Sequence, residues 1–283
     1  MATVSALMSI YHGTPAGELR AALDSLLAQT RPADEIVLVY DGPVSGEVAE
    51  AVRGYVGKHG AEHGDAGVRV VELPDNRGLG PALQAGLETV ASDYVLRLDT
   101  DDVAYPQRLE RQLEFMEAHP EVAALGTAVT EFQDEAELIN PAFLRVRALP
   151  TTHEEIARYA RINSPLNHPS VMLRTADVAA AGGYRGVHFM EDYDLWARLI
   201  ASGHRLHNLP EPLTYFRVSP AQFARRTGRE MFAAERRMQA NLVSYGLIGP
   251  WRARANLVAR TAYRLLPKAL LTRVYSKLFH RGG

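Results

Sequence analysis

Tyr94-Val95-Leu96-Arg97-Leu98-Asp99-Thr100-Asp101-Asp102 is a short, mainly apolar run that stops on three carboxylates within four residues. The run reads as a buried strand and the acids as its carboxyl end. Working outward, the same pattern recurs. Val4–Ile10 and Glu35–Tyr40 are strands, the second ending in the turn Asp41-Gly42-Pro43. Val68–Leu73 is a third strand, halted by Pro74-Asp75-Asn76, and Val122–Leu125 a fifth. Between them lie helical stretches at Glu18–Ala28, Glu47–Lys58, Gly80–Val90 and Pro106–Ala118. Leu19, Leu23, Leu26 and Leu27 keep helical spacing, and Pro81 sits where a first-turn proline is tolerated.

Strands and helices alternating at this pace imply βαβ units and a mostly parallel, doubly wound α/β sheet. Ligands of such sheets bind beyond the carboxyl ends of the strands. Tyr11-His12, Asp41, Asn76-Arg77 and Asp99–Asp102 all fall at those ends, so four polar clusters converge on one edge.

After about residue 128 the alternation stops. Glu131–Leu149 reads as an extended or irregular insertion, Thr152–Tyr159 as a short helix, Ser170–Leu173 as a strand, Asp192–Ile200 as a helix and Leu213–Val218 as a strand. Beyond Glu235 there is no acidic residue. Basic residues from Arg236 to Arg281 instead interleave with Trp251, Leu257, Val258 and further apolar side chains, making a basic amphipathic tail.

Bulk properties narrow the class. The 283 residues suffice for one large α/β domain or two small ones. A formal charge of −2 argues against a nucleic-acid coat, and the absence of cysteine excludes disulfides and thiolate metal sites. The start, Met1–Ile10, lacks a signal peptide's basic n-region, and no apolar run is long enough for a transmembrane helix. A soluble, cytosolic protein is expected, at most resting on a membrane.

Carboxylates two apart at a strand end can meet at one point once the chain turns. Such hard oxygen ligands suit Mg²⁺ or Mn²⁺, which can bridge to a diphosphate. The competing reading is that they cap the following turn and helix; holding acids together after an apolar strand without a cation is costly, which favours the metal. Asp41 can accept from a base N–H or simply form its turn. The glycine-bearing loop Asn76-Arg77-Gly78-Leu79-Gly80 can approach a phosphate or simply start a helix. In Glu191-Asp192-Tyr193-Asp194-Leu195-Trp196 one acid can be a general base, or all can favour the helix dipole. Gly182-Gly183-Tyr184 lets backbone come close to a sugar.

Taken in order, Ser5–Tyr11, Asp41-Gly42, Asn76-x-Gly78, Asp99-x-Asp101-Asp102, Gly182-Gly183-Tyr184 and Glu191-Asp192 resemble a family 2 inverting glycosyltransferase of the GT-A fold. Leu79-Gly80-Pro81-Ala82-Leu83, Pro150–Ile156, Asn167–Met172 and Glu191–Trp196 resemble its bacterial exopolysaccharide and O-antigen branch, amylovoran-type transferases included. The resemblance implies a metal-dependent transfer of one hexose from a nucleotide-sugar, a UDP-sugar first, to a glycan or polyprenyl-diphosphate-linked glycan. Ser9, Tyr11, Asp41, Asn76, Arg77, Asp99 and Thr100 would contact the donor nucleotide, Asp41 at its base. Asp101, with Asp99, would hold Mn²⁺ or Mg²⁺. Asp192 would be the catalytic base with Glu191 beside it, and His168, Gly183 and Trp196 would face the acceptor.

Residues 1–230 would form the catalytic domain, 1–128 its nucleotide half and 129–230 its acceptor half. Residues 231–283 would be a helical tail that, from about Pro250, binds the anionic inner face of the cytoplasmic membrane. The alternative is that this tail packs back on the domain or forms a homo-oligomer interface. His12 stands where the family usually has Asn, and Gln84 occupies a position often held by Asn. The processive motif Gln-x-x-Arg-Trp is approached only by Gln222-Phe223-Ala224-Arg225-Arg226, which suggests single-sugar transfer. A Rossmann dehydrogenase or a pyrophosphorylase would need a glycine-rich loop after strand one, where Tyr11–Gly17 stands. A non-catalytic carbohydrate-binding protein of the same fold is the remaining competitor.

Overall fold

The structure, a computed structural model, describes residues 2–62, 67–219 and 229–264. Its first half is the expected alternation: β1 (Val4–Tyr11), α1 (Ala16–Leu27), β2 (Glu35–Asp41), α2 (Gly46–Glu62), β3 (Val68–Glu72), α3 (Leu79–Leu87), β4 (Tyr94–Arg97), a two-residue β5 (Val103–Ala104) and α4 (Arg108–Ala118). Then follow β6 (Val122–Phe132), β7 (Arg145–Arg147), α5 (His153–Tyr159), β8 (Met172–Arg174), α6 (Thr175–Ala180), α7 (Glu191–Ala201), β9 (Arg205–Arg217), α8 (Arg229–Ser244) and α9 (Pro250–Arg264).

The strands form one mixed sheet in the order β3-β2-β1-β4-β8-β6-β9-β5, with β7 on β6. From β3 to β4 neighbours run parallel, as in a doubly wound fold; β8 enters antiparallel between β4 and β6. Strands covered on both faces must be apolar on both. Ala6, Met8 and Ile10 pack with α1 and α4 on one side, while Leu7, Val37, Val39 and Val95 pack with α3 and α7 on the other.

Three readings needed correction. The fifth strand does not stop at Leu125 but runs to Phe132, so Glu131 and Phe132 belong to β6 rather than to an insertion. The rest of that stretch folds into two 3₁₀ turns, Glu135–Ile139 and Pro141–Phe143, before β7. The last strand begins at Arg205, not Leu213. Pro210 and Pro212 argue against a strand, yet the register against β6 jumps from Thr127↔Leu209 to Ala128↔Pro212, and this bulge takes up the prolines. At α5, Thr152 and Glu155 form a reciprocal capping box, the reason the helix starts there.

The described part of the basic tail lies on the domain. Met231, Ala234, Met238 and Leu242 of α8 pack against Val187, Met190, Tyr193 and Ala197. From α9, Asn256 donates to the Arg161 carbonyl (2.7 Å) and Arg260 to the Ile162 carbonyl (2.7 Å). The opposite face of α9 shows Trp251 and Val258 to solvent, 79% and 69% exposed. Gln222–Arg226 and everything from Leu265 on lie outside the described residues.

A buried network fastens α8 to α7. Asp194, fully buried, accepts from Arg198 Nε (2.9 Å), Asn241 Nδ2 (2.8 Å) and the Tyr245 hydroxyl (2.8 Å). Arg198 in turn donates to the carbonyls of Ala181 and Gly183. Removing one member of such a pair leaves a buried charge uncompensated. Asp194→Ala is expected to lower unfolding free energy in urea by about 3–5 kcal/mol, whereas a loss under about 1 kcal/mol would show that the network contributes little.

Candidate functional site

The site is built where β1, β2 and β4 end. Tyr11 lies beside Asp41 in register, and Tyr11 is partly exposed while Ser9 is half-buried. Asp41 is only 3% exposed. Its carboxylate accepts from the backbone N–H of Arg77 (2.6 Å) and of Gly78 (2.9 Å), and its carbonyl accepts from Asn76 Nδ2 (3.2 Å). Gly42 (φ +80°) lets this happen, because a Cβ there would stand 2.7 Å from the Asn76 nitrogen. Asp41 therefore shapes the loop that starts α3, and the Asn76 and Arg77 side chains are left exposed at the loop's surface.

Asp99, Asp101 and Asp102 follow β4, and one carboxylate oxygen from each lies within 4.8 Å of the others. Burial, then the charge of Asp99, pushes Asp101 up to about 6. Asp102, fully buried, is held well above the ordinary range by burial and by its two neighbours. One Asp102 oxygen accepts from the Arg217 backbone (2.7 Å); the other is buried without a partner among the described residues. Three hard oxygen donors crowded together, one of them orphaned, fit a divalent cation such as Mn²⁺ or Mg²⁺. The sequence reading named Asp99 and Asp101 and left out Asp102. Thr100, between them, is buried.

A cleft of about 540 Å³ opens beside this cluster, in the size range of small-ligand sites. Asp99, His168, Glu191 and Asp192 line it together, with Ser164 and Arg97. Glu191 and Asp192 open α7. Burial, then Asp192, pushes Glu191 up to about 7. Burial also raises Asp192, but the Tyr193 N–H, the Ser164 hydroxyl (2.9 Å) and Arg97 hold it back. His168 is kept neutral by burial and by Arg97, and its Nε2 lies 2.9 Å from the Tyr184 hydroxyl.

Two expected acceptor residues do not reach the cleft. Trp196 is wholly buried and meets His168 edge-on, so it offers a sugar no face. Gly183 (φ +58°) is buried against the Gln84 side chain, where a Cβ would collide, and the adjacent Tyr184 N–H donates to Gln84 Oε1 (2.8 Å). Its freedom serves that packing contact.

Arg97 escaped the sequence reading because it sits inside an apolar strand. It is 1% exposed, its Nη2 pairs with Asp99, and its Nε and Nη1 have no partner among the described residues. The only clue in the sequence was a lone cation two residues before the acids.

With the metal absent, the folded chain binds protons that the unfolded chain has released, since Asp101 and Glu191 stand at about 6 and about 7 instead of their ordinary 3.8 and 4.5. Their contribution to stability therefore falls as pH rises through that window. Melting temperature without metal should rise between about pH 8 and about pH 5 relative to Asp101→Asn/Glu191→Gln, whose dependence is flatter; identical profiles would refute the assignment.

Comparison with known proteins agrees with this geometry. The sequence profile of "Glycosyl transferase family 2" matches residues 5–181. The amylovoran biosynthesis glycosyltransferase AmsE of Erwinia amylovora is 36% identical over 273 residues, 96% of this chain and 98% of its own. A UDP-Gal:alpha-D-GlcNAc-diphosphoundecaprenol beta-1,3-galactosyltransferase of Escherichia coli is 30% identical over 98% of this chain and 96% of its own. Residues 1–349 of S. aureus TarS, solved with UDP-GlcNAc, superpose with a TM-score of 0.65 at 14% identity, covering 98% of this chain and 73% of that one. The last similarity is one of fold, the GT-A type.

Proposed function

The chain belongs to glycosyl transferase family 2, and from that premise we propose that it moves one hexose from a UDP-sugar, UDP-galactose first, to a hydroxyl of a polyprenyl-diphosphate-linked glycan during surface polysaccharide synthesis. The observation that carries this reading is the shared cleft: Asp99 of the cation cluster and the pair Glu191–Asp192 line one cavity. The E. coli relative's name, with its UDP-Gal donor and diphosphoundecaprenol-linked acceptor, supports the choice of both substrates.

The two acids of α7 divide the work. Burial raises both acids, Glu191 to about 7 with the charge of Asp192 adding to it, while at Asp192 the Tyr193 N–H, the Ser164 hydroxyl and Arg97 oppose the rise, and Asp192 lines the cleft. Asp192 is therefore the base. Ser164 occupies one of its oxygens and turns the carboxylate so that the other can take the proton of the acceptor hydroxyl. The acceptor oxygen, giving up its proton to Asp192, bonds to the anomeric carbon as the bond to the donor phosphate breaks, and UDP departs with the electron pair. One displacement from the opposite face inverts the centre. Asp99, Asp101 and Asp102 would hold Mn²⁺ or Mg²⁺, which when bound neutralises charge on the diphosphate. Ser9, Tyr11, Asn76 and Arg77 surround the donor's nucleotide end, with Asp41 fixing their loop.

Calorimetric titration of UDP, with and without Mn²⁺, checks the donor site. Micromolar binding that requires both the metal and an unaltered Asp101 is expected, and Asp192→Asn should keep that binding while transfer drops about 10²–10⁴-fold. No UDP binding under any condition would refute the donor; transfer at normal rate by Asp192→Asn would leave a different base or a non-catalytic binding protein.

The tail is given a second task, resting the protein on the inner face of the cytoplasmic membrane. Trp251 and Val258 stand exposed on α9 beside the exposed Arg252 and Arg254, an apolar face edged by cations. No helix among the described residues is long and apolar enough to cross a membrane. Each Lys or Arg near an anionic surface contributes about 1 kcal/mol. The protein should co-sediment with anionic vesicles, and Trp251→Glu/Val258→Glu should remain in the supernatant; equal soluble fractions would sink the idea.

A further inference from the structure

Phe189 is the single non-glycine residue with positive φ (+63°) among the described residues. A bulky aromatic takes that conformation only when its surroundings hold it there. The surroundings do. Val187 and Met190 are buried on either side, the Val187 N–H donates to the Arg185 carbonyl (2.7 Å), and the Met190 N–H donates to the Val187 carbonyl (2.8 Å). The Met190 carbonyl then accepts from the Asp194 N–H (2.8 Å), which joins this loop to the first turn of α7. Glycine would adopt the same dihedral freely, but it would lose the ring's packing against the cluster of Val187, Met190 and Met231 and against His188, whose ring centroid lies 3.9 Å away.

The ring is half-buried and lines the cleft, two residues before Glu191 and three before Asp192. A second aromatic, Phe216 of β9, lines the same cleft with Arg147 stacked on its ring at 4.4 Å. Polar groups from Asn163, Ser164 and Asp192 complete the wall. An aromatic face next to a set of hydrogen-bonding groups matches a pyranose, which has an apolar C–H face and a rim of hydroxyls. Ser9, Tyr11, Asp41 and Asn76, which serve the nucleotide end, are not part of this lining.

We propose that Phe189 is the stacking platform for the acceptor's sugar ring, an N-acetylhexosamine carried on a lipid diphosphate, and that the strained loop sets this ring against Asp192. The inference rests on the transferase reading above. It makes Phe189 a specificity-determining residue, because the backbone that fixes the ring runs directly into the base.

The test is transfer kinetics from UDP-hexoses to a synthetic alkyl-diphosphate-linked N-acetylglucosamine, with UDP affinity in Mn²⁺ and melting temperature measured on the same samples. Phe189→Trp keeps a stacking face and should stay within about threefold of the unaltered protein. Phe189→Leu keeps apolar bulk and should raise the acceptor KM about tenfold, equivalent to about 1.4 kcal/mol, at nearly constant kcat and UDP affinity. Phe189→Gly should raise KM at least as far while UDP affinity is kept, its melting temperature falling only by the packing that the ring makes with Val187, Met190 and His188. An unchanged acceptor KM in both Leu and Gly variants overturns the proposal. So does a joint loss of UDP affinity and melting temperature in the Leu variant, which would make the ring part of the core. An unaltered protein that binds UDP with Mn²⁺ but never glycosylates this probe overturns the acceptor class while the donor site stands. Failure to bind UDP at all would instead remove the transferase reading.

Discussion

Five carboxylates crowd around the buried guanidinium of Arg97, with buried Arg108 acting only on Asp102 among them, and the rest of the site depends on that imbalance. Arg97 counters Asp101, Asp102, Glu191 and Asp192 through space and pairs directly with Asp99. Charges of one sign in a low-dielectric pocket raise each other's pKa until some are neutral. Arg97 and Arg108 offset only part of this, and Asp101, Asp102, Glu191 and Asp192 all remain raised. The position of β4 enforces this. It lies between the parallel β1 and the antiparallel β8, the place where the sheet changes direction. A divalent cation beyond its carboxyl end would supply counter-charge next to the Asp102 oxygen that has no partner among the described residues.

The scaffold that tolerates this strain is conventional. Large apolar clusters cover both faces of the sheet, and a third joins α8 to α7. Asp41 fixes the loop before α3 with its carboxylate, and Gly80 lets the Arg185 carbonyl come within what would be Cβ contact (2.6 Å). The nucleotide loop and the loop leading to Phe189 are thereby in contact. The C-terminal helices are part of the same construction, since Met231 of α8 and Arg260 of α9 line the cleft. Their inner face lines the cleft while Trp251 and Val258 on the outer face of α9 are exposed, so the membrane contact proposed for that face would involve other side chains than those at the cleft.

Most of the fold was legible in the sequence because parallel strands buried on both faces leave apolar runs that stop on turn residues, as at Asp41 and Asp99. The order of polar clusters at those ends placed Asp41 with the loop before α3 and the acids after β4 on one edge of the sheet. What the sequence hid has physical reasons. Pro210 and Pro212 look like breakers until a bulge in the partner register receives them. Arg97 reads as an interruption in an apolar strand, and only three dimensions show it beneath two acid clusters. Trp196 turns inward because α7 is buried on every side from Tyr193 to Leu199, so helical spacing assigns it no outward face. Phe189 left no trace in the sequence, since backbone strain has no residue signature except at glycine.

Helix α7 shows how one element holds structure and chemistry apart. Asp192 and Asp194 are two residues apart, and both are buried carboxylates. Asp194 accepts from three donors, one of them a guanidinium, and nothing is left for it to do but hold α8 in place. Asp192 accepts from one side-chain hydroxyl and backbone N–H groups at the start of the helix, and it lines a cavity. The difference lies in the rotation of about 100° per residue along a helix, which turns one acid toward the core and the other toward the cleft. Satisfied polar groups rigidify, and unsatisfied ones react. By anchoring the far side of α7 with a fully bonded acid, the fold can hold the near side in a state that no isolated helix would keep.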